Sequence, residues 1–263
     1  MALITLTTDF GTRDHYVGVM KGVICSIAPK ADIVDITHDI EAHNITHGAL
    51  VLRSIWSWFP EGTIHVIVVD PGVGSERRVL LGRYEGRYVI APDNGLITLV
   101  HRSLGLEEMR VVENRRYLLS QMSSTFHGRD ILAPVAAHLA NGVKSGEFGR
   151  PTDHLAMLPA AQSPDTLGRR IRGQAIYVDR FGSLVTNISR QDLAGLPLAK
   201  GGSTVEVFVN DVAVGPVRSF YEEVAVGEVI ALLGSMDYLE IALNQGRAIE
   251  RFGPVEELKI EVR

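Results

Sequence analysis

The chain has 263 residues, 46% of them hydrophobic and 22% charged, with a formal net charge of -5 at pH 7. This is the composition of an ordinary globular protein, long enough for one large or two average domains. The acidic balance argues against a nucleic-acid-binding surface, which needs clustered Lys and Arg to neutralise phosphates.

The opening stretch MALITLTTDF lacks a basic leader region and reaches Asp9 too soon for a signal peptide or a membrane span. Leu3 to Thr8 reads as a strand, and TTDFGTRDHY leads into a helix from Tyr16 to Ala28 with Val17, Met20, Val23, Ile24 and Ile27 at helical spacing. The single cysteine, Cys25, is expected on that apolar stripe as a small buried hydrophobe, which with the leaderless start implies a reducing cytoplasm. Asp32 to Thr37 is the next strand, followed by a helix over Ile45 to Trp58 that stops at Pro60 and Gly62. The β-branched run Ile64 to Val69 then predicts a strand buried on both faces, as in a parallel sheet. A hairpin over Val79 to Tyr84 and Arg87 to Ala91 follows, then APDNG before a helix, then SSTFHGRD before a helix over Ile131 to Ala140. This alternation predicts a mostly parallel α/β sandwich domain over residues 1–155.

Residues 142–172 are rich in Gly, Pro, Ser and charge, and a linker is placed within them at 156–171; Arg169, Arg170 and Arg172 are the densest basic patch and read as solvated linker at and just past its end. From 172 to 263 short strands dominate: Gln174 to Val178, Leu184 to Ile188, Thr204 to Val209, Val212 to Val217, Val229 to Leu233, Tyr238 to Ala242 and Val255 to Val262. Asn210-Asp211 is a hairpin signal. This half is expected to be a small antiparallel β-barrel.

Three polar points fall at strand ends or before helices in the first half: Asp9, Asp70 with Arg77, and His127. Loops at the carboxyl edge of an open α/β sheet converge, so these residues can share a crevice and hold a water molecule. The phosphate-cradling loops GxGxxG and GxxxxGK[ST] and the nucleophile elbow GxSxG are absent. His38, His43 and His47 offer a conceivable metal site without an HExxH pattern, and polar caps are expected at that strand-to-helix junction. In the second half, IYVDRFGSLVTNI reads as a capped hairpin, or as a site in which Asp179 meets a ligand ammonium and Phe181 offers a flat apolar face. Phe220 offers a second face, and Asn244 at the tip of GSMDYLEIALNQG a backbone that can bond a heterocycle edge.

Taken together, TTDFG, DPGVGSER, APDNG, STFHGRD, DRFGSLVTN and GSMDYLEIA resemble the S-adenosylmethionine hydroxide adenosyltransferase family, whose relatives include fluorinating and chlorinating enzymes. The resemblance extends, in order, through nearly the whole chain. It implies an α/β domain followed by a β-barrel, in a homotrimer whose active sites lie where one subunit's first domain meets a neighbour's second. It implies that Asp70, Arg77 and His127 form a catalytic water-handling triad and that Asp9 binds ribose. It further implies that Asp179 meets the methionine ammonium, that Ser235 meets the carboxylate, and that Phe181 and Phe220 flank adenine. Ser183 stands where asparagine is common in the family, and Met236 where the halogenases carry arginine. His127 and Gly128 stand where the halogenating relatives have tyrosine and serine, which points to hydrolysis of S-adenosyl-L-methionine to adenosine and L-methionine without metal or other cofactor. The rival readings are a halogenase of the same family, a non-catalytic regulator that binds S-adenosylmethionine or adenosine, and a metal hydrolase using the three histidines.

Overall fold

The computed structural model describes residues 2–159, 164–196, 205–255 and 258–263. Residues 160–163 of the expected linker, the start of the strand expected from Thr204, and residues 256–257 within the one expected from Val255 lie outside the described residues. The chain falls into two compact units, Met1–Leu158 and Pro159–Arg263.

The first unit carries a six-stranded sheet, ordered β2-β1-β3-β5-β4-β6. Its strands are β1 (Leu3–Thr8), β2 (Asp32–Thr37), β3 (Ile64–Val68), β4 (Val79–Tyr84), β5 (Arg87–Pro92) and β6 (Leu106–Val111). β1 runs parallel to β2 and β3, and β3 parallel to β5, while β4 is antiparallel to both its neighbours. The β-branched run is central because it feeds two cores. Ile64, Val66 and Val68 pack into one apolar cluster with Met20 and Ile24 of helix α1 (Tyr16–Ile27) and Val135 and Ala136 of α4 (Ala133–Ala140). Ile67 and Val69 pack into the other with Leu52 of α2 (Ile45–Ile55) and Val100 of α3 (Thr98–Ser103). Alternating side chains point to opposite faces, so a strand covered by helices on both sides must be apolar throughout.

Three local readings change. The second helix gives up its α geometry at Ile55 and finishes as a 3-10 turn over Trp56–Trp58. The helix expected from Ile131 is preceded by a turn of π-helix at Gly128–Leu132. Cys25 is exposed rather than buried. At about 100° per residue it stands roughly a quarter turn round from Ile24, outside the arc that Met20, Ile24 and Val17 bury. Strand β6 gave little warning, since LEEMRV is half charged and buries only Met109 and Val111 against β4 at the sheet edge.

The second unit is a closed barrel of seven strands. Its elements are β8 (Arg170–Val178), β9 (Leu184–Ser189), β10 (Glu206–Val209), β11 (Val212–Arg218), β12 (Val229–Leu233), β13 (Tyr238–Leu243) and β14 (Lys259–Val262). Pairing of β14 with β8 closes the cylinder, and β7 (Asp165–Leu167) is added outside on β8. The described pairings are antiparallel except β11 with β12, which run parallel because residues 219–228 cross back over the outer face. Asn210 and Asp211 take φ of 47° and 64°, the left-handed pair that a two-residue hairpin needs. The helices here are single short turns, α5 (Arg190–Ala194) and α6 (Ala248–Phe252). Arg170 and Arg172 are a correction to the linker reading: both belong to β8, where their exposed side chains pair with Glu261 of the adjacent β14. Among the described residues no helix is long and apolar enough to cross a membrane.

Candidate active site

The carboxyl edge of the first sheet assembles the site. β1 and β3 are neighbours in parallel register, with Thr8 opposite Val68, so Asp9 and Asp70 leave the sheet side by side. The Asp9 amide donates to the Val68 carbonyl at 3.3 Å, and Asn94 of the APDNG turn donates its side-chain amide to the Val69 carbonyl at 2.9 Å. From Asp70 the loop turns twice, with Val73 bonded back to Asp70 and Ser75 to Gly72, which returns Arg77 to the carboxylate it left. Arg77 Nε donates to Asp70 Oδ1 at 2.6 Å, and Nη2 pairs with Oδ2. The two side chains are 9% and 5% exposed.

The His127 segment locks onto this loop. Gly74 has φ of 83°, and a Cβ on it would lie 2.3 Å from the Ser124 carbonyl oxygen, so only glycine lets the two backbones approach this closely. Asp130, fully buried, holds the segment from behind by accepting from the Ser123 amide at 2.6 Å and from Arg129 Nε at 2.5 Å. Arg77 Nη2 lies 2.9 Å from His127 Nδ1. A guanidinium can only donate, so Nδ1 accepts and the neutral ring carries its proton on Nε2. Burial, with Arg77 adding its positive charge, lowers the His127 pKa from its ordinary value, which favours this neutral form.

Asp9, Asp70 and His127 line a cavity of about 270 Å³ together with Phe10, Tyr16, His43 and Phe126. Arg77 is not among its lining residues; it stands behind Asp70 and His127 and fixes both. Asp9 Oδ2 accepts from the backbone amide of His43, which sits at φ of 68°. The cavity therefore presents a carboxylate acceptor and an imidazole Nε2–H donor, with the rings of Phe10, Tyr16 and Phe126 packed against one another on its apolar side.

The three histidines of the stretch 38–47 have separate tasks. His38 bonds Thr8 Oγ1 at 2.9 Å and pairs with Asp35, His43 offers its amide to Asp9, and His47 Nδ1 accepts from the Glu41 amide. Burial lowers the His47 pKa to about 4. Among the described residues no three His, Cys, Asp or Glu side chains are grouped to hold a metal ion.

In the second unit, Asp179 Oδ1 accepts from the Ser183 amide at 2.8 Å across a turn that exposes Phe181. Ser183 bonds the side chain of Tyr221, next to the exposed Phe220, and the Tyr177 hydroxyl donates to Met236 Sδ at 3.6 Å, beside Ser235. The structure thus joins the Asp179 turn to the Phe220 segment and to the Ser235 turn. It does not bring Asn244 to Ser235: they lie beyond opposite ends of β13, and the Asn244 amide group donates to the Val224 carbonyl, fastening the 219–228 crossover. Glu240 is a further polar residue of this cluster that none of the sequence motifs singles out. Leu239 and Ile241 face the barrel core, so Glu240 points outward, where it is nonetheless 8% exposed and acts electrostatically on Asp179. A lone acid inside the apolar run YLEIAL was the available signal.

An open α/β sheet with an ion-paired carboxylate and a neutral imidazole at its edge, followed by a barrel with its own polar cluster, defines a two-domain small-molecule enzyme. The chain belongs to the SAM hydroxide adenosyltransferase family: the family's N-terminal domain matches residues 4–149 and its C-terminal domain residues 173–261. It is 36% identical to the (R)-S-adenosyl-L-methionine hydrolase of Methanocaldococcus jannaschii over 91% of this chain and 88% of that one. A fluorinase from an Actinoplanes species is 30% identical over 92% and 91%. The crystal structure of an uncharacterized conserved protein from Thermotoga maritima superposes with a TM-score of 0.88 at 35% identity, covering 100% of this chain and 99% of that one.

Proposed function

We propose that the protein hydrolyses S-adenosyl-L-methionine to adenosine and L-methionine. The observation that carries this reading is the half-buried Asp70–Arg77–His127 cluster, whose Asp70 and His127 line the cavity at the sheet edge. Water bound there donates one proton to Asp70 and accepts from His127 Nε2–H, which leaves an oxygen lone pair for C5′ of the substrate. As the new C–O bond forms, the C5′–S bond breaks and its electron pair neutralises the sulfonium, releasing methionine; the water proton passes to Asp70. The sulfonium is already a good leaving group, so the reaction asks for positioning and a base rather than for metal or acid assistance. In this reading Arg77 is a positioning residue that orients the Asp70 carboxylate and holds His127 in the donating tautomer. Asp9 takes the ribose. The exposed rings of Phe181 and Phe220 take adenine, and Asp179, Ser183 and Ser235 the amino acid end.

The same reading makes the working form a homotrimer, each cavity completed by the second unit of a neighbouring chain, which rests on the resemblance of the motifs, and puts it in the cytoplasm, which rests on its single cysteine. Halide as the nucleophile is disfavoured by Asp70, because a carboxylate lining the cavity repels a bound anion and tolerates water. Turnover in ¹⁸O-labelled water tests the proposal. Adenosine carrying the label at O5′ is expected, whereas adenine release, label in another product, or 5′-halo-adenosine in the presence of chloride or fluoride overturns it.

A further inference from the structure

The barrel unit holds a carboxyl group that the proposed chemistry does not use. Glu240 is 8% exposed, and its carboxyl group has no hydrogen-bond partner among the described residues. Its carboxyl group packs directly against the backbone of Gly234, in the space that a Cβ there would fill. The titratable groups that face it are Asp179 from the turn after β8, Tyr177 from β8, and Tyr221 from the crossover segment. None of these supplies a positive charge. Burying a carboxyl group next to another without a cation is unfavourable, and a sequence that keeps one there implies a cation that arrives with a ligand.

We infer that Glu240 and Asp179 together form an ammonium cradle for the amino acid end of the substrate, and that Glu240 is a specificity-determining residue for an α-amino group. The inference rests on the hydrolase reading for the identity of the ligand. Its chemistry is specific. An ammonium group has three N–H donors to satisfy, while a sulfonium has none, so of the two cationic centres in S-adenosylmethionine only the ammonium matches paired carboxylates. Asp179 Oδ1 is already engaged by the Ser183 amide, which leaves the cradle one oxygen short without Glu240. Ser235 follows Gly234 directly in the turn against which the Glu240 carboxyl group packs, and in the hydrolase reading its hydroxyl meets the neighbouring carboxylate of the amino acid. Burial, with Asp179 adding its negative charge, raises the Glu240 pKa to about 7. A substantial fraction is therefore protonated in the free protein near neutral pH, and an incoming ammonium drives that proton off.

The test is calorimetric titration of the intact protein and of Glu240→Gln with S-adenosylhomocysteine and with its analogue lacking the α-amino group, in two buffers of different ionisation enthalpy. Glutamine keeps the shape and removes the charge. The expected result is that E240Q weakens S-adenosylhomocysteine about 10- to 100-fold, as for loss of a charge-assisted hydrogen bond. Binding of the deaminated analogue should stay within about twofold by the same reasoning, since the lost bond is absent from it. The parent should release a proton on binding S-adenosylhomocysteine, and the variant should not. Equal weakening of both ligands, no weakening, or identical proton release overturns the inference. Failure of the parent to turn over S-adenosylmethionine in the labelled-water experiment would sink the hydrolase reading alone, because the titration measures binding without chemistry.

Discussion

In the first unit Asp70 and Arg77 are 5% and 9% exposed and hold one another and His127; in the second, Phe181 and Phe220 are 77% and 57% exposed and Glu240 faces another carboxylate. The first arrangement is finished before any ligand binds. Its charges are balanced, its loops interlock at Gly74, and what it offers the cavity is a fixed acceptor and a fixed donor. The second is unfinished in the free chain: aromatic faces stand in water and a carboxyl group has no counter-charge among the groups that act on it, which the proposed ligand, flat at one end and cationic at the other, would relieve. The contrast separates two tasks that one enzyme must perform. Chemistry gains from groups that do not reorganise during the reaction, whereas binding gains from surface that is costly to leave bare.

The largest expected effect comes from breaking the finished side. Asp70→Asn retains the volume and removes both the acceptor charge and the counter-ion of a buried guanidinium. Adenosine release in a single turnover should slow by about 10²- to 10⁴-fold, the usual scale for a lost general base. The variant should also be less stable by about 3–5 kcal/mol in denaturant unfolding, the scale for stranding one member of a buried pair. Near-parental release would remove Asp70 from the proton-accepting role.

A smaller effect, with a pH signature, is expected at His127. Its folded pKa is lowered, first by burial and then by Arg77, so protonation is resisted in the folded protein and must displace the Arg77 bond. A depressed histidine pKa stabilises the fold above the unfolded value of about 6.5 and loses that contribution as pH falls through the folded value. Both stability and kcat/KM should therefore fall on acidification below about pH 6.5, with the catalytic limb displaced to the acid side of an ordinary imidazole. His127→Asn should lower kcat/KM by about 10- to 100-fold at neutral pH, below most of the range for a lost acid–base group because His127 donates a hydrogen bond and moves no proton, and flatten that limb. A limb that persists unchanged in the variant assigns it to another group.

Much of the scaffold was legible because its signals were local. The run Ile64 to Val69 announced a strand with helices on both faces, and β1, β2 and the hairpin β4–β5 begin where their alternation or β-branching begins. The motifs carrying Asp9, Asp70, Arg77 and His127 stood out because Gly, Pro and polar residues interrupt apolar runs there, and parallel register then puts two of them side by side. What escaped depends on partners distant in sequence. β6 is held by pairing with β4 despite its charges, Cys25 is a matter of which face α1 turns to the sheet, and Arg170 and Arg172 join a strand because β14 returns to pair with it. Glu240 stands within an apolar strand run, and only the fold brings it under the charge of Asp179, while Asn244 shares a motif with Ser235 whose two ends β13 holds apart.

The gentlest test falls on the unfinished side, at Phe220. An aromatic residue 57% exposed contributes little to the barrel core, so Phe220→Ala should leave stability within about 0.5 kcal/mol of the parent, as for surface substitutions. If the ring serves as a face for adenine, its removal costs about 1–3 kcal/mol of stacking, which reads as a KM for S-adenosylmethionine raised about 5- to 150-fold. The turnover number should remain within about threefold, because the ring touches the heterocycle and not the reacting carbon, and binding lost equally from ground and transition states leaves kcat unchanged. A fall in kcat with unchanged KM would move Phe220 from holding the substrate to shaping the reaction. Loss of stability with neither kinetic change would return it to the fold, and the difference between the two units would then rest on Glu240 and Phe181.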